Sequence, residues 1–141
     1  MKKIIGRTDF LDFTELQLID VPCKIDTGAF MSALHCTYKK VKGDTLYFKI
    51  GNHHSYKFPD KVYKTKKYTI KEITSSNGES ENRYTIKTTI RIFNEDVETI
   101  LTLTDRETMT KPVLIGRLAL KNYLVDVTQT NLSFQEKYKF S

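Results

Sequence analysis

The chain has 141 residues, 39% of them hydrophobic, with 23 Lys and Arg against 17 Asp and Glu for a net charge of +6. That composition supports one core, and the length is read as a single domain over residues 1–141. Phe and Tyr spread along the whole chain exclude a disordered polypeptide, no apolar run reaches the ~20 residues of a membrane helix, and the basic N-terminus lacks a signal-peptide core, so a cytoplasmic protein without membrane contact is expected.

Strand signals dominate the chain. Thr45–Ile50 alternates apolar and polar residues, and Gly51-Asn52 behind it predicts a hairpin turn there. Lys61–Lys71 alternates Val62, Tyr63, Tyr68 and Ile70 with lysines and threonines. The polar run Ser75–Asn82 holds Asn77-Gly78, a strong two-residue turn signal, and predicts a hairpin tip because alternation resumes beyond it. Ile86–Ile92 and Val97–Leu103 are β-branched alternating runs, with a turn predicted at Asn94-Glu95-Asp96. Val113–Ile115 is a short apolar strand ending at Gly116. Arg117–Tyr123 predicts a helix of about two turns. Tyr123–Val127 and Asn131–Phe134 flank Thr128-Gln129-Thr130 and predict a last hairpin. The fold expected is all-β, a barrel or sandwich with one short helix near the C-terminus. Cys23 and Cys36 are too few for a disulfide framework and are expected as reduced thiols.

The sharpest chemical signal is Cys23-Lys24-Ile25-Asp26-Thr27-Gly28-Ala29. Asp-Thr-Gly at a strand end is the aspartic-protease signature. Two carboxylates side by side share one proton, so one acts as base on water while the other acts as acid towards the substrate carbonyl. Thr27 can hydrogen-bond across the pair, and Gly28 lets the backbone pass close to the carboxylates without a Cβ. A Gly-ended apolar strand must cross behind that loop, and Val113-Leu114-Ile115-Gly116 follows in the right order. The chain has one Asp-Thr-Gly, and none of its other eight aspartates lies in that setting. A two-lobed protease within one chain is thereby excluded, and the second carboxylate must come from a second copy.

The chain resembles the retropepsin-like aspartic proteases, and within them the bacterial branch labelled ATP-dependent zinc proteases. The likeness rests on Ile4-Ile5-Gly6-Arg7, Lys24–Ala29 with Ser32-Ala33-Leu34-His35, and Ser75-Ser76-Asn77-Gly78 with Arg83. It continues through Leu101–Arg106 with Met109, then Leu114-Ile115-Gly116-Arg117 and Leu124-Val125-Asp126. It implies a closed retropepsin-like β-barrel, a homodimer, and Asp26 from each copy as the catalytic dyad. Thr27, Gly28 and Ala29 would shape the active-site loop, and Ile115, Gly116 and Arg117 would support it. Arg117 is expected in a structural ion pair near the dimer interface, with Asp105 or Asp126 as its partner. Ser75, Ser76, Asn77, Gly78 and Arg83 would belong to a flap over the substrate. Cys23, the bulky Phe30-Met31 and Thr110-Lys111 depart from the branch's pattern and bear on the substrate pocket.

No cofactor and no metal is expected. The chain has no His-Glu-x-x-His and no phosphate-binding Gly-x-x-x-x-Gly-Lys-Ser/Thr motif, and His53 and His54 read as exposed residues on opposite faces of a hairpin strand. The basic aromatic run Lys57–Lys71 could stack single-stranded nucleic acid, but a solvated sheet face is the stronger reading. The branch's genes accompany ligases that add glutamates, so the resemblance also implies an acidic, glutamate-rich peptide substrate. The function expected is a homodimeric aspartic endopeptidase. The alternatives are a catalytically silent module that binds acidic peptide or nucleic acid, and a zinc hydrolase.

Overall fold

The computed structural model describes residues 2–74 and 77–139. Strands run over Lys3–Ile5 (β1), Thr8–Phe13 (β2), Leu18–Ile25 (β3), Ser32–His35 (β4), Tyr38–Lys42 (β5) and Thr45–Lys49 (β6). They continue over Tyr63–Thr65 (β7), Tyr68–Thr74 (β8), Ser80–Ile92 (β9), Glu95–Thr104 (β10), Val113–Ile115 (β11) and Tyr123–Val125 (β12). One short α-helix, Leu132–Lys137 (α1), follows near the C-terminus. The strands β10, β4, β11, β3, β2 and β9 pair in that order, and β9 pairs back onto β10, so the sheet closes into a barrel. The all-β barrel expected from the sequence is therefore present.

Alternation sorts the barrel's side chains. On β10, Thr99, Leu101 and Leu103 point inward and are buried, while Ile100 and Thr102 between them are half-exposed. Leu11, Phe13, Leu34, Ile90, Ile92 and Ile115 complete the middle of the core. β8 adds to the outer edge of β9, so the hairpin β8–β9 extends past the barrel, where residues 80–83 are exposed. A second sheet, β5-β6-β7, covers one side. Cys23 and Cys36 are both buried and free, as expected, and burial pushes both thiols up, Cys36 to about 11.

Four local expectations are corrected. The β9–β10 turn is Phe93-Asn94, both at positive φ as a two-residue hairpin of the favoured hand requires, and Glu95 and Asp96 already belong to β10. The hairpin at β6 lies before the strand, through Gly43-Asp44, whereas Gly51 leads into a turn at 52–56. The segment after Gly116 makes one 3-10 turn, Arg117–Ala119, in place of a two-turn helix. Its first amide groups are held elsewhere: Arg117 and Leu118 donate to the carbonyls of Ala29 and Phe30 at 2.8 and 3.0 Å.

The last predicted hairpin is absent. β12 pairs in parallel with β1, and the segment after it becomes α1. Asp9, from the far end of the chain, supplies the reason. Its buried carboxylate accepts the amide hydrogens of Ser133 and Phe134 at 2.9 and 3.0 Å, satisfying groups a helix start leaves open. Lys137, at the other end, is held by Asp12 and Asp20, each at 2.8 Å. No helix among the described residues is long and apolar enough to cross a membrane.

Candidate active site

Ile25 ends β3 with its side chain in the core, and the chain then leaves the sheet as the loop Asp26–Met31 before β4 begins at Ser32. The two strands joined by this loop are not neighbours. β11 lies between them, parallel to β3 with Ile115 opposite Ile25 and antiparallel to β4 with Leu114 opposite Ala33. The loop therefore straddles the end of β11, and β11 becomes its floor. The Asp26 amide donates to the Ile115 carbonyl at 2.9 Å.

Within the loop, the Gly28 amide donates to Asp26 Oδ1 at 2.8 Å and the Ala29 amide to the Asp26 carbonyl at 3.3 Å. A Cβ on Gly28 would stand 3.1 Å from Asp26 Oδ1, so glycine keeps that approach open. Asp26 and Ala29 are half-buried, while Thr27 and Gly28 are exposed. Gly116 closes the floor: its amide donates to Ser32 Oγ at 3.1 Å, and that hydroxyl lies 3.3 Å from the Thr99 hydroxyl inside the barrel. The loop is thus fixed from below by backbone and open above.

Within one copy of the chain Arg117 is committed to the loop backbone. Among the described residues it makes no ion pair with Asp105 or Asp126. Its guanidinium donates to the Thr27 carbonyl at 3.0 Å and lies over the Phe30 ring. It holds the loop directly. Asp126 is engaged locally by Thr128 and Gln129, which hold its carboxyl below the usual range.

Of the residues expected to form a flap, only part can be placed. Ser75 and Ser76 lie outside the described residues. Asn77 and Gly78 sit between β8 and β9, with Gly78 at φ +86 and the Glu79 amide donating to Asn77 Oδ1 at 3.1 Å. Arg83 pairs with Glu81 at 2.9 Å on the outer face of β9.

Arg106 carries no role in the sequence reading, yet its side chain is almost fully buried. Its Nε donates to the Lys111 carbonyl at 3.2 Å. Burial pushes the guanidinium down and the negative charge of Asp26 draws it back up. No local pattern marks an arginine for burial, so only the fold reveals it.

Of the two adjacent histidines, His54 is exposed as expected and His53 is corrected. His53 is buried, and its ring stacks on that of His54 at 4.3 Å, because the segment is a tight turn rather than a strand. His53, His54 and Glu107 place ligand-type atoms within 4.8 Å of one another, beside a cleft of about 760 Å³ that Asp26 does not line. These residues do not fit a zinc centre. His53 Nε2 reaches the Arg106 carbonyl at 2.9 Å, and Nδ1 accepts from the Ser55 amide and hydroxyl at 3.1 and 3.0 Å. Both nitrogens are engaged, and stacked rings aim their in-plane lone pairs side by side instead of at one point.

His35 is neutral for a related reason. Its Nδ1 accepts the Arg106 amide hydrogen at 2.8 Å, and Nε2 reaches the Asn52 carbonyl at 2.7 Å, which fixes the proton on Nε2. Burial lowers its pKa from 6.5. The native ring thus refuses a proton that the unfolded chain accepts. This contribution to stability is complete above the unfolded value of 6.5 and is lost as pH falls below it. Unfolding titrations of the native chain and of His35→Gln are expected to show it: the decline between pH 7 and 5 is shallower in the variant. Equal slopes would refute the assignment.

A family model described as "RimB-like: Retropepsin-like aspartic endopeptidase RimB" matches residues 4–136. The chain is 31% identical over 137 residues to a "Probable alpha-L-glutamate ligase" of Shewanella pealeana, a match covering 92% of this chain and 29% of that protein. A protein of the same name from Desulfotalea psychrophila is 28% identical over 131 residues, covering 88% of this chain and 28% of that one. The chain spans less than a third of the length of these relatives. Among solved structures, Lpg0085 of Legionella pneumophila, a protein of unknown function, superposes with a TM-score of 0.74 at 20% identity. The match covers 94% of this chain and 99% of that one, and is a likeness of fold.

Proposed function

The chain belongs to the RimB-like family of retropepsin-like aspartic endopeptidases, and from that premise we propose that it is one half of a homodimeric aspartic endopeptidase acting on acidic, glutamate-rich peptides. The observation that carries this reading is the Asp26–Gly28 loop, fixed on β11 and open to one side. A rigid carboxylate with an exposed Thr27 beside it is half of a proton-sharing pair. In the dimer, the ionised member of the pair takes a proton from water. The water oxygen attacks the peptide carbonyl, and the protonated member supplies the proton to the carbonyl oxygen. As the tetrahedral intermediate collapses and its C–N bond breaks, the carboxyl that took the water proton gives it to the leaving amine, and the other carboxylate takes back the hydroxyl proton.

The dimer has a surface that suits it. β1 and β12 form a two-stranded parallel sheet in which Ile4 lies opposite Leu124, both about half exposed, with Val127 exposed beyond them. This strip joins the active-site loop: the Arg7 carbonyl, just after β1, accepts the Ile25 amide hydrogen at 2.9 Å. Leu124→Asp is expected to leave a folded monomer without peptidase activity, because each Leu buried at an interface contributes roughly 2 kcal/mol. Sedimentation would report the change in mass and circular dichroism the retained fold. A variant that stays dimeric would rule out this strip as the interface.

Support for the substrate comes from charge and from the relatives. The chain is strongly basic, and Lys71 stands opposite Arg83 on the β8–β9 hairpin. The relatives are named as glutamate ligases, and a region like this chain occupies part of their length. A hydrolase of glutamate peptides is the reaction class that reverses such a ligation. Mass spectrometry of oligo-α-glutamate and of casein incubated with the chain tests the proposal. Shortened glutamate products are expected. Binding without products at any pH would favour the silent module.

A further inference from the structure

Lys24 stands out among the cations around the loop. Arg117 is committed to the Thr27 carbonyl, Arg106 to the Lys111 carbonyl, Arg83 to Glu81, and Arg7 to the Val127 carbonyl at 3.1 Å. Among the described residues Lys24 has no hydrogen bond or ion pair. On β3 the neighbours Cys23 and Ile25 are buried in the core and Lys24 is exposed. Alternation therefore sends Lys24 to the outer face, the side on which Asp26 emerges two residues later, roughly 6.6 Å further along the strand.

Register extends that face. Lys24 lies opposite Leu114 on β11, Leu114 opposite Ala33 on β4, and Ala33 opposite Thr102 on β10. Leu114, Ala33 and Thr102 are all half-exposed, whereas their neighbours Ile115, Leu34 and Leu103 are buried. Thr8 on β2, also half-exposed, continues the row on the other side of Lys24, so the row is uncharged apart from this one ammonium. An extended peptide whose carbonyl sits at Asp26 places the flanking side chain on this row.

We propose that Lys24 is a specificity-determining residue, whose ammonium receives the side-chain carboxylate of the substrate residue flanking the cleaved bond. This rests on the endopeptidase reading given above. The partner chemistry follows from the residue: a flexible ammonium on an otherwise neutral surface rewards an acidic side chain and repels a basic one.

The test is the ratio of kcat/KM for two peptides that differ only in Glu or Gln beside the cleaved bond. Lys24→Met, which keeps the stem and removes the charge, is expected to lower that ratio by about tenfold, as loss of a charge-assisted hydrogen bond implies. Lys24→Arg is expected to restore most of it. A cation that served only to tune Asp26 would change both rates together and leave the ratio alone, and that result overturns the proposal. A second arm is independent of turnover. Fluorescence anisotropy with a labelled penta-glutamate compares Asp26→Asn with Asp26→Asn/Lys24→Met at low and moderate salt. Weaker, less salt-sensitive binding in the double variant supports the assignment, and equal binding overturns it. If the native chain neither cleaves nor binds glutamate peptide, the endopeptidase reading fails with it; cleavage with an unchanged ratio removes Lys24 alone.

Discussion

Asp26→Asn is expected to lower peptide hydrolysis by on the order of 10³-fold or more while leaving the thermal midpoint nearly unchanged. The substitution is almost isosteric. An Asn side-chain oxygen can still accept the Gly28 amide hydrogen, which Asp26 Oδ1 holds at 2.8 Å. The floor built by Ile115 and Gly116 uses backbone and Ser32, none of which the change touches. What disappears is the ability to hold and release a proton. Turnover by mass spectrometry and unfolding by calorimetry read the two halves separately. Cleavage at the native rate would remove Asp26 from the chemistry.

The same variant measures the stoichiometry of the site. Adding an equal amount of Asp26→Asn chains to the native protein, with time for exchange, leaves two aspartates in about one quarter of all dimers. Total activity then falls to about half of that given by the native chains alone. A monomeric enzyme would be unaffected by the added chains. The mixing experiment thus asks whether the second carboxylate comes from a second copy, without any need to see the dimer.

Much of this site was legible because its parts are local. Lys24–Ala29 and Leu114–Arg117 are short segments whose residue types follow from what each must do: bring a carboxylate to a strand end, pass close by it, and cross beneath it. The barrel was legible too, since alternation in Ile86–Ile92 and Val97–Leu103 reports one buried and one open face. The failures share a cause. Asn131–Phe134 alternates like a strand, but Asp9, 124 positions from Ser133, caps it into a helix. The charge of Arg117 is visible in sequence, whereas the Thr27 carbonyl that takes it within one copy is not. Arg106 and His53 are polar residues buried by long-range packing, and no periodicity signals that.

Gly116→Ala is expected to cost roughly 3 kcal/mol of stability, lowering the midpoint by roughly 10 °C, and to depress turnover with it. The backbone at Gly116 is extended, so conformational strain is not the reason. The reason is space. A Cβ there would stand 2.4 Å from the Met31 carbonyl oxygen and 2.8 Å from that of Ala29. Both are backbone atoms of the Asp26–Met31 loop, and neither can swing aside as a side chain would. Relief requires the loop to lift off β11. That movement would strain the Arg117 amide bond to the Ala29 carbonyl and the Gly116 amide bond to Ser32, at 2.8 and 3.1 Å. Gly78→Ala provides the contrast: nothing lies within 4 Å of its Cβ, and the penalty is the left-handed φ of +86 alone, about 1 kcal/mol. The expected pattern across three variants is therefore specific. Asp26→Asn loses turnover and keeps stability, Gly78→Ala loses a little stability, and Gly116→Ala loses both, because the floor of the loop and the position of Asp26 are one structure. A Gly116→Ala protein with the native midpoint would show that the loop does not rest on β11 as closely as the carbonyl contacts require.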